Sequence, residues 1–248
     1  MIQHVPRKMP DPIRIRVASK PVWSWPFWCL ESIFEWLSYG LSHWALLEVL
    51  QYLGSFGVVV AVIFYFAESG DRLKQKHYQA WQVINTAQGK GGNGGRVEAL
   101  QELNSDHVSL IGVDAAGAFL QGIRLARAHL ARGNFDAVDA RDSDFRGADL
   151  SNASLKAANF RNSDLRAADF AGAELNNADL FGSNLSEANF SGAVLDDADL
   201  CNTNLQDLRW RQIRGIHNAN LCGVKNAPDG FLAWALHNGA VEKPHEQN

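Results

Sequence analysis

The chain has 248 residues, a length that suits one or two domains. Its 23 basic and 27 acidic residues give a net charge of −4, which argues against nucleic-acid binding through bulk charge. The three cysteines, Cys29, Cys201 and Cys222, are too few and too scattered for a disulfide framework, and their odd count is typical of a reducing compartment.

The first 42 residues divide into a basic tail and an amphipathic segment. Residues 1–20 are polar and basic with three prolines, and we expect a disordered tail, either solvated or in contact with anionic lipid. In residues 21–42 large apolar residues recur at steps of three and four: Phe27, Leu30, Phe34, Leu37 and Leu41. This spacing predicts an amphipathic helix in a membrane interface; a packed surface helix and a second membrane span are the alternatives.

Residues 43–88 are predicted to form a transmembrane helix, over about 45–66, that continues into a polar neck. The 22 residues of 45–66 include only Glu48 and Gln51 as strongly polar groups, and at about 1.5 Å per residue they would span roughly 33 Å. The alternative is a buried helix of a soluble protein. Basic residues at 72–76 favour a single-pass protein of the inner or plasma membrane, with the following domain in the cytoplasm.

A glycine-rich loop and a short helix are predicted over residues 89–105. The run from Gly89 to Gly95 lacks the residue order of a phosphate-binding loop, so we expect a flexible turn without a bound nucleotide. Residues 96–104 then predict a helix with Val97, Leu100 and Leu103 on one face. We expect this helix to cap the domain that follows.

From Leu110 to Leu205 a large apolar residue recurs at every fifth position. Eighteen of these 20 positions are Leu or Phe, and the other two are Ala115 and Ala140. A small or β-branched residue lies two positions before each, and Asp or Asn usually lies between them. A period of five fits neither a helix nor a strand and therefore predicts a stacked repeat. If each pentad turns one corner, four pentads close a square coil of 20 residues.

Four pentads show the repeat clearly: Ala148-Asp149-Leu150, Ala158-Asn159-Phe160, Ala178-Asp179-Leu180 and Ala198-Asp199-Leu200. They resemble the A-[DN]-L-x-x motif of the pentapeptide-repeat family, and the resemblance implies an all-β solenoid, a right-handed square β-helix. The pentads would make about five coils with a height of roughly 24 Å. Phe170 would then lie on Phe190 of the next coil, while Asp and Asn satisfy backbone groups at the corners.

The five-residue spacing ends after Leu205, although one further pentad begins at Ala219, shifted by one position. We assign residues 106–225 to the β-helix and residues 226–248 to a helical cap and tail. A helix over 231–237 is predicted to cover the exposed end of the stack, because an open edge would invite pairing with another chain. The covering residues would be Phe231, Trp234 and Leu236.

Charge divides the outward positions of the repeat. Residues 124–166 include eight basic and six acidic residues, whereas residues 167–207 include eight acidic and no basic residues. Five outward side chains are candidates for a partner surface: Arg141, Arg146, Arg161, Arg166 and Phe181. The arginines would lie one coil apart in two pairs, so an anionic partner or neighbouring carboxylates should offset their repulsion. The alternatives are a solvated face for the arginines, and contact with Arg161 for Phe181.

The sequence has no motif typical of catalysis or metal binding, because its eight histidines lack metal-type spacing and no nucleophile motif is found. We expect no enzyme activity, cofactor, metal or small-molecule substrate. The sequence favours a membrane-anchored scaffold that contacts lipid through residues 45–66 and an unidentified protein partner through the solenoid. The alternative is an inhibitor or protector of a nucleic-acid enzyme, since family members that protect DNA gyrase resemble DNA. Direct nucleic-acid binding is not expected.

Overall fold

The computed structural model describes residues 9–10, 21, 24–42, 45–67, 69–86 and 94–244. Most of the predicted tail over residues 1–20, and the glycine run up to residue 93, lie outside these residues. The chain divides into two compact units, Met1–Arg72 and Leu73–Asn248.

The first unit contains helices α1 (Trp25–Ser42) and α2 (Ala45–Ala67). All five members of the predicted apolar stripe of α1 are exposed, and exposed apolar side chains lie on every side of α2 between Tyr52 and Tyr65. Within the described residues no single helix combines the length and apolar composition that a membrane crossing needs. Two helical segments that are bent relative to each other, Tyr52–Tyr65 and Gly70–Thr86, meet the length and composition requirement when they are taken together. The structure therefore does not support the predicted single span over 45–66.

Helices α3 (Ser69–Thr86) and α4 (Arg96–Ser105) precede the repeat. Ile84 of α3 and Leu100 and Leu103 of α4 are buried in one apolar core with the first pentads. Gln101 of α4 accepts a hydrogen bond at its Oε1 from the backbone N–H of Arg124 at 2.9 Å. Helix α4 therefore covers the first end of the repeat with both apolar and polar contacts.

The repeat forms coils of 20 residues, each with four sides of five residues. Parallel bridges join residues 20 apart, from Asp114–Asn134 to Asn189–Arg209, which confirms the predicted register. In this part of the chain each side makes one isolated bridge rather than an extended strand, because its other residues turn the corner. We number the sides 1 to 4 by the central residues of the first coil: Leu110, Ala115, Leu120 and Leu125.

Each corner is a tight turn closed by a backbone hydrogen bond, such as that from Ala153 N to Leu150 O at 3.1 Å. The residue two positions after the central one adopts a left-handed backbone, with φ 56° at Asn152 and φ 69° at Gly172. A Cβ on Gly172 would also lie 2.6 Å from Oδ1 of Asn152 in the preceding coil. Asn and Gly therefore recur here because they tolerate this conformation and, at Gly172, because the neighbouring coil leaves no room.

The central residues fill the interior of the coils. Every one of them over 110–205 is at most 1% exposed. The rings of Phe170 and Phe190 lie one coil apart with centroids 5.2 Å from each other, as predicted. The ring contacts and the burial together make the column of central residues the core of this unit.

The small side chain of Ala140 leaves space in the core, and the ring of Phe145 is the neighbouring ring that reaches it. The ring of Phe145 lies 5.4 Å from that of Phe160, the residue one coil beyond Ala140. Phe135 instead lies over Gly133, where a Cβ would be 2.5 Å from Cε2 of that ring. Glycine replaces the usual alanine there because only glycine leaves room for the ring.

Side 4 has hydroxyl residues at the inner position that is usually alanine, and all four are buried: Ser143, Ser163, Ser183 and Thr203. Ser163 Oγ donates to Ala140 O at 2.8 Å and accepts from Ser143 N at 3.2 Å. Ser183 Oγ has no hydrogen-bond partner among the described residues. Ser163 and Ser183 therefore occupy equivalent buried positions in successive coils, but within the described part of the chain the hydroxyl of Ser163 has hydrogen-bond partners and that of Ser183 has none.

The coils continue beyond Leu205, and the 20-residue register is kept as far as Arg209 rather than ending at Leu205. Bridges in this region join residues 21 apart, from Val194–Gly215 to Asn220–Val241. One extra residue therefore lies between Arg209, which keeps the 20-residue spacing, and Gly215. The shifted pentad at Ala219 is part of this continuing coil.

Helix α5 (Phe231–His237) covers the far end of the stack. Phe231 and Ala235 are buried, and the ring of Trp210 lies 5.6 Å from Phe231 and 5.2 Å from Trp234. Leu236 is 43% exposed and does not cover the end as predicted. The reason is helical geometry, since positions 231 and 235 share one face and position 236 turns away from it.

Candidate functional site

The five candidate side chains lie on two adjacent sides of the coil. Arg141, Arg161 and Phe181 follow the central residues of side 3, and Arg146 and Arg166 follow those of side 4. The bridges between coils place Arg141 one coil from Arg161 and Arg146 one coil from Arg166. We call this group the arginine patch.

Neighbouring carboxylates offset the repulsion within the arginine patch. In three pairs Nε and one terminal nitrogen of the arginine donate to the two carboxylate oxygens: Arg141 with Asp139, Arg146 with Asp144, and Arg166 with Asp164. These distances are 2.6–2.8 Å. Each carboxylate also accepts the backbone N–H of the same arginine at 3.1–3.4 Å. The aspartates at the turns therefore both shape the corner and hold the arginine.

The ion pairs extend the pH range over which the carboxyl groups are charged. The side-chain hydrogen bonds of Arg146 hold the pKa of Asp144 below its ordinary value of 3.8, although partial burial acts in the opposite direction. Arg141 lowers the pKa of Asp139 in the same way. Both pairs therefore remain charged at a lower pH than isolated aspartates would.

Arg161 makes a different set of contacts because Asn159, not an aspartate, lies two positions before it. Its NH1 donates to Oδ2 of Asp179 in the next coil at 3.0 Å. Its Cζ lies 4.5 Å from the centroid of the Phe181 ring, and Phe181 is half-buried. Contact with Arg161 is thus observed for Phe181, while contact with a partner stays a prediction.

A disulfide joins Cys201 to Cys222 of the next coil, on the column of side 3 that includes Phe181. The Cα atoms are 4.5 Å apart. The interpretation of the cysteines as unpaired is therefore wrong, and with it the argument for a reducing compartment. The extra residue in the last coils brings both cysteines to equivalent positions. The signal in the sequence was that each follows the central leucine of a pentad, Leu200 or Leu221.

The carboxylates of residues 167–207 lie on all sides of the coil. Asp169, Glu174 and Asp179 belong to sides 1, 2 and 3, and Glu187 lies at the corner after side 4. Glu174 forms an ion pair with Lys156 at 2.7 Å. No group of three or more His, Cys, Asp or Glu in the described ranges is placed to hold a metal ion.

Comparison with solved structures finds several pentapeptide-repeat proteins. One, Rfr23 from the cyanobacterium Cyanothece 51142, is 26% identical over 38% of this chain and 62% of its own length, with a TM-score of 0.32. This chain therefore spans less than two thirds of Rfr23. Another, alr5209 from Nostoc Pcc 7120, is 21% identical over 63% of this chain and all of its own, with a TM-score of 0.27.

A further match is QnrB1, described as a plasmid-mediated fluoroquinolone resistance protein, in a trypsin-treated form. It is 20% identical over 52% of this chain and 69% of its own, with a TM-score of 0.30. No curated protein matches this chain significantly. The family model for pentapeptide repeats matches residues 109–147, 148–186 and 183–208, with eight copies of the repeat. This match shows pentapeptide repeats over residues 109–208, and the 20-residue register with its buried central positions shows that they form a four-sided β-helix.

Proposed function

We propose that this protein is a membrane-anchored scaffold whose repeat domain binds a protein partner and catalyses no reaction. The observation that carries the proposal is the arginine patch, where three arginines are held in two-point ion pairs and the fourth stacks on Phe181. Because these side chains are already ordered, a partner would lose little side-chain entropy on binding them.

The composition of the arginine patch indicates the kind of partner. Arginine and aromatic side chains are enriched at protein interfaces and are frequent at their energetic centres. The patch alternates arginines with aspartates, so its net charge is small. We therefore expect a folded protein partner with alternating charges rather than a polyanion.

The proposed anchor is residues 45–66. The exposed side chains of α2 include Phe56, Val59 and Ile63, and between Tyr52 and Tyr65 the described apolar side chains face outward all round the helix. A helix that is apolar on every side is stable only where protein or lipid covers it. Lipid also suits α1, whose exposed apolar stripe is typical of an interfacial helix.

Two features disagree about the side of the membrane on which the repeat domain would lie. The basic residues Arg72, Lys74 and Lys76 favour the cytoplasm. The Cys201–Cys222 disulfide favours an oxidising compartment. A C-terminal epitope tag decides between them: external protease should spare the tag in intact spheroplasts if the domain is cytoplasmic and remove it if the domain is outside.

The alternative function is inhibition or protection of a nucleic-acid enzyme such as DNA gyrase by mimicry of DNA. Mimicry of DNA requires rows of negative charge along one surface, like those of the phosphates. The carboxylates over 167–207 instead lie on all four sides, and Glu174 and Asp179 are paired with cations. This distribution favours the scaffold. If the purified full-length chain blocks gyrase supercoiling at equimolar amounts, inhibition by mimicry of DNA becomes the favoured function and the scaffold becomes the alternative.

Membrane anchoring is tested by extraction. The full-length chain should sediment with membranes and stay there in alkaline carbonate, because burial of apolar side chains does not depend on salt or charge. A variant with Val59→Glu and Ile63→Glu should be released. Release of the unchanged protein by carbonate would exclude the anchor.

Partner binding is tested by crosslinking in intact membranes. Wild type should capture a defined protein that Phe181→Ala and Arg161→Ser variants lose. Arg132→Ser is the matched control, because Arg132 is an exposed arginine at the corner after side 1. Capture that is equal in all four proteins, or lost in all three variants, would contradict a role for the arginine patch.

A further inference from the structure

The extra residue between Arg209 and Gly215 lies beside a cavity of about 300 Å³. The cavity lies between the last coils and helix α5. Its volume is at the lower end of the range for small-molecule sites. Extra residues in a β-ladder redirect side chains and are common beside functional sites. The cavity therefore occurs at the one place in the coils where the register changes.

A carboxylate is held at one wall of the cavity. Asp196 Oδ1 accepts a hydrogen bond from the backbone N–H of His217 at 2.8 Å. A Cβ on Gly215 would lie 2.7 and 2.8 Å from the two oxygens of Asp196, so glycine is needed for this approach. Asp196 Oδ2 makes no hydrogen bond or ion pair within the described part of the chain, and it is available to a ligand.

A guanidinium group belongs to the same cavity. Arg214 Nε donates to Gly192 O at 2.7 Å, which fixes the side chain. Its two terminal nitrogens have no partner among the described residues, and Arg214 forms no ion pair with Asp196 although both line the cavity. Two opposite charges are thus present in one small site without neutralising each other.

The rest of the accessible lining is mainly polar, because the two isoleucines beside the cavity are part of the core. Ile213 and Ile216 are buried, and Trp234 is half-buried with its ring 5.2 Å from that of Trp210. These side chains are held by the packing of α5 on the last coil. Of these three side chains, the half-buried Trp234 is the one that a ligand in the cavity can contact.

We propose that this cavity binds a free α-amino acid. The ligand carboxylate would accept hydrogen bonds from Arg214, its ammonium would donate to Asp196, and its side chain would lie beside Trp234. A guanidinium binds a carboxylate through two parallel hydrogen bonds, and the fixed side chains reduce the entropy lost on binding. This is a binding site only, and it does not depend on membrane anchoring or on the arginine patch.

The test is calorimetric titration of the purified full-length chain with L-leucine as the probe. Wild type should bind saturably. Arg214→Gln and Asp196→Asn should each weaken binding about tenfold or more, because each removes a hydrogen bond to a charged group. Arg211→Gln and Asp197→Asn are matched controls, three positions from Arg214 and one from Asp196, and should leave the affinity unchanged. Asp196→Asn keeps an oxygen for His217 N, so the fold is preserved.

Two analogues test whether the site needs both charged groups of the amino acid or only one of them. 4-Methylpentanoate lacks the ammonium group and 3-methylbutylamine lacks the carboxylate, so both should bind about tenfold or more weakly than L-leucine. Equal binding of 4-methylpentanoate would show an anion site and overturn the proposal. Absence of saturable L-leucine binding to wild type, or equal loss in the control variants, would overturn it as well.

Discussion

Loss of the Cys201–Cys222 disulfide should destabilise the repeat domain without unfolding it. The backbone hydrogen bonds between the two coils remain after the change, including Leu200 N to Asn220 O at 2.9 Å and Asn202 N to Cys222 O at 2.8 Å. The bond is lost either by Cys222→Ser or by reduction. Cys201 is fully buried and Cys222 is half-buried, so a reductant would attack the sulfur of Cys222.

The size of the effect follows from the 21-residue separation of the cysteines. A crosslink that closes a loop of this length restricts the unfolded chain and contributes about 3 kcal/mol to stability. For a domain of this size, each kcal/mol changes the melting temperature by about 2–4 °C. We therefore expect the melting temperature to fall by about 6–12 °C.

Thermal unfolding followed by circular dichroism measures this shift in the full-length chain. Cys29→Ser is the control and should leave the melting temperature unchanged, because Cys29 is a free thiol in α1. A thiol count gives an independent check: the denatured chain should show one reactive thiol before reduction and three after it. Three thiols before reduction, or a shift of less than about 2 °C on removing the bond, would refute the reasoning.

Three further predictions concern packing and charge. Phe170→Ala should lower the free energy of unfolding in urea by about 3–5 kcal/mol, because the ring is fully buried between coils of fixed spacing; a loss below about 1 kcal/mol would contradict this core. Ser183→Ala should be neutral or slightly stabilising, whereas Ser163→Ala should cost about 1 kcal/mol, because only Ser163 has hydrogen-bond partners; equal effects would contradict the assignment. The lowered pKa of Asp144 contributes stability that is present above pH 3.8 and lost as pH falls through the folded pKa. Melting temperatures of an Asp144→Asn variant should therefore fall less steeply in acid than those of wild type, and parallel curves would argue against the pair with Arg146.

The geometry of the arginine patch was predictable only in part. A fixed period of five determines which side chains share a column, so the grouping of Arg141 with Arg161 follows from counting. The partner of each arginine depends on local chemistry instead. An aspartate two positions earlier binds Arg141, Arg146 and Arg166, whereas Asn159 leaves Arg161 to pair with the next coil.

By itself, the sequence determined the interior of this protein. Burial of an apolar residue at every fifth position requires each pentad to turn a corner, so the coil, its 20-residue register and its core follow from the pattern. The tertiary structure decided what happens where the pattern changes. One extra residue between Arg209 and Gly215 brings Cys201 to Cys222 and places a cavity beside α5. A periodic sequence specifies which residues repeat, but only the folded chain shows how a break in the period is absorbed, because the answer depends on contacts between coils.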